Sequence, residues 1–277
     1  MSRAFANGIY IEYETYGNSS HRPLLLVGGL SDQLIYWEDD LWKDLAAEGN
    51  YIIRFDNRDA GLSTKCEDGR AYTLDDMADD AAGLLDALKI ERAHICGTSM
   101  GGMIAQTIAI RHPSRLLSLI SIYSTTGNPD LPSGDPRVMK LLFAPAPRER
   151  EAHIDHMVSL FKAFAGPGFA FDEAWTRMLV GKAFDRSFYP EGTARQVLAV
   201  GSQPDRRKAL ASVTVPTLVV HGTDDPLLPV EGGIDTVQAI PNARLLLIEG
   251  MGHDLPHGGA WPEVVEAIAA HISKLTL

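Results

Sequence analysis

Cysteine is scarce in this chain of 277 residues, where Cys66 and Cys96 are the only two. That excludes a disulfide framework, and the pair shows no metal-ligand spacing. Positive charge is also short, with 25 Lys and Arg against 36 Asp and Glu and a formal net charge of −11. Such a balance repels nucleic-acid phosphates and anionic lipid, so neither nucleic acid nor membrane is an expected partner. Long apolar runs are missing: Leu24-Leu25-Leu26-Val27 is among the longest and is far too short to cross a bilayer. Met1–Gly8 has no signal-peptide character, and the reading is of a soluble, cytoplasmic protein. No repeat or low-complexity tract is visible. The composition, 45% hydrophobic and 22% charged, is that of a globular chain able to bury a sizeable core.

What the chain does contain is a rhythm. Short apolar runs at Leu24–Val27, Tyr51–Phe55, Ala93–Cys96, Leu117–Ile122, Thr217–Val220 and Arg244–Ile248 read as strands buried on both faces. Helix-length segments separate most of them, which predicts an α/β fold with a mostly parallel sheet flanked by helices. One such helix opens with Thr73 and Asp76 in capping-box spacing, and Met77, Ala81, Leu84, Leu85 and Leu88 follow at helical period. Ile9–Tyr16 alternates like a half-exposed strand in an antiparallel hairpin at the start of the sheet. The rhythm breaks once. Residues 126–212 hold helical patterns punctuated by prolines and seven of the nine Phe residues, but no convincing strand. The expected division is a core of residues 1–125 and 213–277 with a helical insertion, 126–212, carrying its own small core.

The sharpest chemical signal is Gly97-Thr98-Ser99-Met100-Gly101-Gly102. It follows the strand Ala93–Cys96 and opens a helix expected over Met100–Arg111. A serine there sits on a tight strand-to-helix turn, with glycines two positions away on each side leaving room for a strained backbone. The plainer reading is an ordinary glycine-rich turn, which the strand and helix on either side disfavour. A serine hydroxyl needs a base to act as a nucleophile, and the base needs an orienting acid. In such a fold the acid and then the histidine follow the serine along the chain. Asp225, in His221-Gly222-Thr223-Asp224-Asp225-Pro226, and His253, in Gly250-Met251-Gly252-His253, both lie just past strand ends and are the pair selected.

The other candidates carry blander readings. His221 ends a strand and reads as a buried structural histidine; His257, between Pro256 and Gly258, reads as part of a surface loop. His94 and His112 read as structural, and His153 and His156 lack partners for a zinc site. Asp224 competes with Asp225 for the acid, and Asp130 is a remoter choice. Acyl transfer also needs two N–H groups aimed at an oxyanion. Met100, after the serine, supplies one, and Leu30, in Gly28-Gly29-Leu30-Ser31, is the natural second.

With these residues the sequence resembles the α/β-hydrolase superfamily along nearly its whole length, in the branch of aclacinomycin methylesterase and related bacterial carboxylesterases. Asp56-Asn57-Arg58-Asp59-Ala60-Gly61-Leu62-Ser63 is similar to that branch's structural loop near the site. Two departures stand out: Gly28-Gly29 replaces a common His-Gly, and Asp59-Ala60 replaces a glycine-containing pair. The resemblance implies an α/β-hydrolase fold in which residues 126–212 form a helical cap. It also implies a triad of Ser99, Asp225 and His253 working without cofactor or metal. The expected activity is hydrolysis of a small or medium uncharged ester, a small molecule being the only partner implied and homo-oligomerisation left open. Lactones, amides, carbon–carbon bonds and perhydrolysis are alternatives on the same triad, and a non-catalytic ligand receptor is the alternative from another class.

Overall fold

The computed structural model describes residues 2–67, 69 and 71–273. Leucine- and isoleucine-rich runs form eight strands among them: β1 Ser2–Ala6, β2 Ile9–Tyr16, β3 Arg22–Val27, β4 Asn50–Phe55, β5 Ala93–Thr98, β6 Leu116–Ile122, β7 Thr217–Gly222 and β8 Arg244–Ile248. They make one sheet in the order β1-β2-β4-β3-β5-β6-β7-β8. β2 runs antiparallel to β1 and β4, and all other pairs are parallel. The partner of the expected Ile9–Tyr16 strand is β1, reached through Asn7-Gly8, both with positive φ (48° and 79°), as a two-residue hairpin loop requires.

The helices are α1 Asp39–Ala47, α2 Leu74–Ala87, α3 Met100–Arg111, α4 Pro136–Leu142, α5 Arg150–Phe164, α6 Glu173–Arg186, α7 Pro190–Gly201, α8 Arg207–Leu210, α9 Glu231–Ala239 and α10 Trp261–Ser273. None among the described residues is long and apolar enough to cross a membrane. The Thr73–Asp76 pair caps α2, its backbone N–H reaching the Asp76 carboxylate at 2.8 Å. Strand side chains alternate between two cores. Leu25 and Val27 pack with the inner faces of α2 and α3, while Leu24 and Leu26 pack with α1 and α10. Each such leucine, wholly removed from water, contributes roughly 1.5–3 kcal/mol. Because both faces of the central strands are covered, their sequence is continuously apolar instead of alternating.

Between β6 and β7 the chain leaves the sheet and builds α4 to α8. This excursion is tied to the core by named bonds. Gln33 Nε2 donates to the carbonyls of Ala183 and Ser187, at 2.7 and 2.9 Å. Arg186 pairs with Asp56 at 2.8 Å and Arg195 with Asp59 at 2.8 Å. Asp56 also accepts the N–H groups of Leu34 and Leu62, both at 2.7 Å. A β-carbon at Gly61 would lie 2.1 Å from that carboxylate, so the loop tolerates only glycine there.

Candidate active site

The parallel strands all deliver their carboxyl ends to one edge of the sheet, where loops meet helix N-termini. β5 ends in the turn that carries Ser99, whose φ of 52° and ψ of −120° place it in a strained backbone region for an L-residue. Close packing holds it there. A β-carbon on Gly97 would come within 2.0 Å of the Gly101 carbonyl oxygen, and one on Gly101 within 2.1 Å of the Val27 carbonyl oxygen. The Ser99 N–H donates to the Ile122 carbonyl at 3.0 Å, and Ser124 Oγ donates to the Ser99 carbonyl at 2.8 Å.

The hydroxyl thus presented meets an imidazole. His253 Nε2 is 2.9 Å from Ser99 Oγ, and His253 Nδ1 is 2.7 Å from Asp225 Oδ2. The other carboxylate oxygen of Asp225 accepts the N–H groups of Leu227 and Leu228, at 2.9 and 2.8 Å. Burial alone would push the Asp225 carboxyl up. The His253 and His221 rings outweigh it and hold the group well below the usual carboxylate range. The His253 backbone N–H donates to the Phe164 carbonyl of α5 at 2.9 Å, and its ring lies edge-on to Tyr123 and Phe164. Such a chain offers a hydroxyl, a base within reach and an acid on the base's far nitrogen.

The loop after β3 packs beside this centre. Gly29 N–H donates to Asp32 Oδ2 at 2.8 Å, Asp32 N–H to the Gly29 carbonyl at 3.3 Å, and Ser31 N–H to Gln196 Oε1 at 2.7 Å. Among the described residues the Leu30 N–H has no acceptor. The Gly28-Gly29 pair has a steric reason: a β-carbon on Gly29 would sit 2.9 Å from Asp32 Oδ2 and 3.4 Å from Ser99 Cβ. Leu30, Ser99 and Met100 all line one cavity of about 510 Å³. Its walls are mostly Leu, Met, Val and aromatic side chains, with Phe161, Phe164, Phe171 and Trp175 contributed by the insertion. Among the described residues no lysine or arginine lines it, whereas Asp32, Glu38, Asp172 and Asp254 do. Burial pushes Asp32 and Asp254 up to about 6, against the pull of the neighbouring His253 on each.

The structure sorts the remaining candidates. Asp224 turns away and accepts the Thr223 hydroxyl at 2.6 Å, while Asp130 lies exposed in a turn closed by Asn128. His221 is fully buried, donating to the Leu228 carbonyl at 2.8 Å, and its Nε2 is also 3.3 Å from Asp225. His94 bonds Ser118 and is pushed by burial down to about 4; His112 pairs with Asp79. His153 packs against Phe184 and Phe188. His257 departs from its surface-loop expectation. It is half-buried, paired with Glu38 at 3.0 Å and stacked on Trp175 at 4.0 Å, because α6 of the insertion covers its loop. Glu38 and Gln196 carried no motif, since their partners lie in distant segments, and Asp32, bonded to the nearby Gly29, is marked by no pattern of its own.

A family model described as alpha/beta hydrolase fold matches residues 22–260. The chain is 30% identical to a rhodomycin D methylesterase of Streptomyces sp. (strain C5), over 95% of each chain. It is also 30% identical to a putative carbamate hydrolase of Variovorax paradoxus, over 96% of this chain and 94% of that one. An esterase from Rhodococcus sp. ECU1013 superposes with a TM-score of 0.84 at 23% identity, covering 99% of both chains. With its sheet order, its strained strand-to-helix serine and a family match across most of its length, the chain belongs to the alpha/beta hydrolase family.

Proposed function

We propose that the protein is a cofactor-free serine carboxylester hydrolase acting on a small or medium uncharged ester through an acyl-enzyme. The observation that carries this reading is the unbroken hydrogen-bonded chain from Asp225 through His253 to Ser99, at 2.7 and 2.9 Å, opening into an apolar cavity. Ser99 Oγ attacks the acyl carbon as His253 takes its proton, and Asp225 stabilises the imidazolium that forms. The oxyanion rests on the N–H groups of Leu30 and Met100. His253 then protonates the departing alcohol, and the same imidazole activates the water that releases the acid.

Two further points support an uncharged ester. The relatives' names, a methylesterase and a putative carbamate hydrolase, both denote hydrolysis at a carbonyl bearing a heteroatom. A cavity lined, among the described residues, by four carboxyl groups and no lysine or arginine disfavours an anionic substrate. The residues 126–212 act as the cap, supplying apolar walls that exclude water from the oxyanion position. The test is turnover of matched esters, lactones and amides of increasing acyl length. Ester hydrolysis that survives exhaustive chelation and outruns the matched amide and lactone is the expected result. Faster turnover of the lactone or amide would reassign the substrate class, and activity that EDTA removes and zinc restores would overturn the metal-free mechanism.

A further inference from the structure

A glutamine amide has two donors and an acceptor oxygen, so burying it is tolerated only where the surroundings satisfy it. Gln196, on α7 of the insertion, is fully buried. Its Oε1 accepts the Ser31 N–H at 2.7 Å, and its Nε2 donates to the Arg58 carbonyl at 2.8 Å. One side chain therefore joins three segments distant in sequence: the loop after β3, the Asp56–Ser63 loop and the insertion.

The consequence lies one peptide away, at Leu30. Ser31 adopts a φ of 58°, a conformation costly for a residue other than glycine, and the bond from Gln196 holds it there. On the other side, the Gly29 carbonyl is held by the Asp32 N–H and the Gly29 N–H by Asp32 Oδ2. In a planar trans peptide the N–H points opposite to the carbonyl. The Leu30 N–H shares its peptide with the Gly29 carbonyl, so that carbonyl sets its direction. The bond to Gln196 holds the next peptide, the middle of the turn that the Asp32 N–H closes on the same carbonyl. That donor has no acceptor among the described residues.

We infer that Gln196 is a positioning residue for the reaction, setting the Leu30 N–H as an oxyanion donor only while α7 is seated on the core. This rests on the ester-hydrolase reading above. Val197 and Val200 of the same helix line the cavity. One helix thus touches the substrate pocket with two side chains and the oxyanion loop with a third. The cap thereby couples pocket filling to the readiness of the oxyanion site.

The test compares a neutral ester with its thionoester, in which sulfur replaces the carbonyl oxygen and accepts hydrogen bonds poorly. Wild type should favour the oxygen ester strongly. Gln196→Leu should lower kcat by about 10- to 100-fold with little change in KM, less than the roughly 10²–10³ of losing an oxyanion donor outright, because the Leu30 N–H is misdirected and not removed. It should also shrink the ester-to-thionoester ratio of kcat/KM at least about fivefold, since that preference reads the oxyanion contact. Gln196→Glu keeps an acceptor for the Ser31 N–H and should recover most of the rate and the ratio. It also serves if the leucine variant fails to fold. Phe188→Ala, in the insertion but away from the cavity, should leave the ratio unchanged. A folded Gln196→Leu with wild-type kcat, or one that loses rate without any change in the ratio, overturns the inference. So does a folded Gln196→Glu that matches neither wild-type rate nor wild-type ratio. If instead wild-type turnover proves independent of Ser99, the ester-hydrolase reading itself has failed.

Discussion

Removing the Ser99 hydroxyl leaves Asp225 and His253 paired and the glycine packing of the turn untouched. Ser99→Ala should therefore keep its unfolding temperature while losing ester turnover on the order of 10³-fold. A folded variant keeping a tenth of the rate would exclude Ser99 as nucleophile. Asp225→Asn should cost on the order of 10²–10⁴ in kcat, through the wrong tautomer and an unstabilised imidazolium. Asp224→Asn should cost little, since Asp224 contacts Thr223 and not the imidazole; the reverse order would move the acid. Asp254, like Asp32, is a residue whose ionisation opposes folding. It is largely buried, its Oδ1 has no hydrogen-bond partner, and its folded value of about 6 lies above the ordinary 3.8. The cost is absent below the ordinary value, grows as pH rises between the two, and is complete above about 6. Asp254→Asn should raise stability by at most about 3 kcal/mol at pH 8 and by almost nothing at pH 4. Equal thermal shifts at both pH values would show that ionisation is not the cause. At this scale the sequence spoke unevenly. Glycines flanking a serine after a strand are a local requirement and stood out, whereas Asp224 and Asp225 share a motif and differ only in where their side chains point. Gln196 sits unmarked in an ordinary helical pattern because its partners lie more than a hundred residues upstream.

The insertion's helices divide the aromatics that its sequence merely concentrates. Phe161 and Phe164 of α5, with Phe171 and Trp175, face the cavity, whereas Phe184 and Phe188 stack on each other 4.7 Å apart and meet His153 at tilted and edge-on angles. Phe169 packs instead among the residues beside α10. Single alanine substitutions should therefore separate. At Phe161, Phe171 or Trp175 they should change the ratio of kcat/KM between long and short acyl esters with modest loss of stability. At Phe184 or Phe188 they should cost about 2 kcal/mol, part of the figure for a fully buried ring, and leave that ratio alone. Equal chain-length profiles across both groups would remove these rings from the pocket. The central strands were legible as elements because burial on both faces writes an unbroken apolar run, whereas β8, expected to be buried likewise, lies at the sheet's edge with Leu247 exposed. Their ends were not: β5 continues through Gly97 and Thr98, whose pairing with Ser121 and Ile122 is a backbone matter that side-chain hydropathy does not record. Likewise β1, with only Ala4 and Ala6 buried, carries too little apolar surface to announce itself.

Across the whole molecule, the net charge of −11 and the carboxyl-lined cavity act in the same sense on an approaching substrate. An ester bearing a carboxylate should be hydrolysed more slowly than its neutral isostere, and added salt should narrow the gap by screening the outer part of that field. A carboxylate-bearing ester that matches the neutral one at low salt would contradict this. The stretch of helices between β6 and β7 was visible because the strand rhythm stops for one long interval. The bonds that make the two parts one site were not, since Gln33, Arg186, Arg195 and Gln196 act through contacts that no local pattern encodes. The proposed acyl transfer runs through the single hydroxyl of Ser99. Its most direct test is to treat the folded protein with a fluorophosphonate and map the adduct by peptide mass. One adduct is expected, on Ser99, formed in step with the loss of esterase activity and prevented by Ser99→Ala. Esterase activity that persists with Ser99 fully modified, or is lost with Ser99 unmodified and another residue labelled, would contradict it.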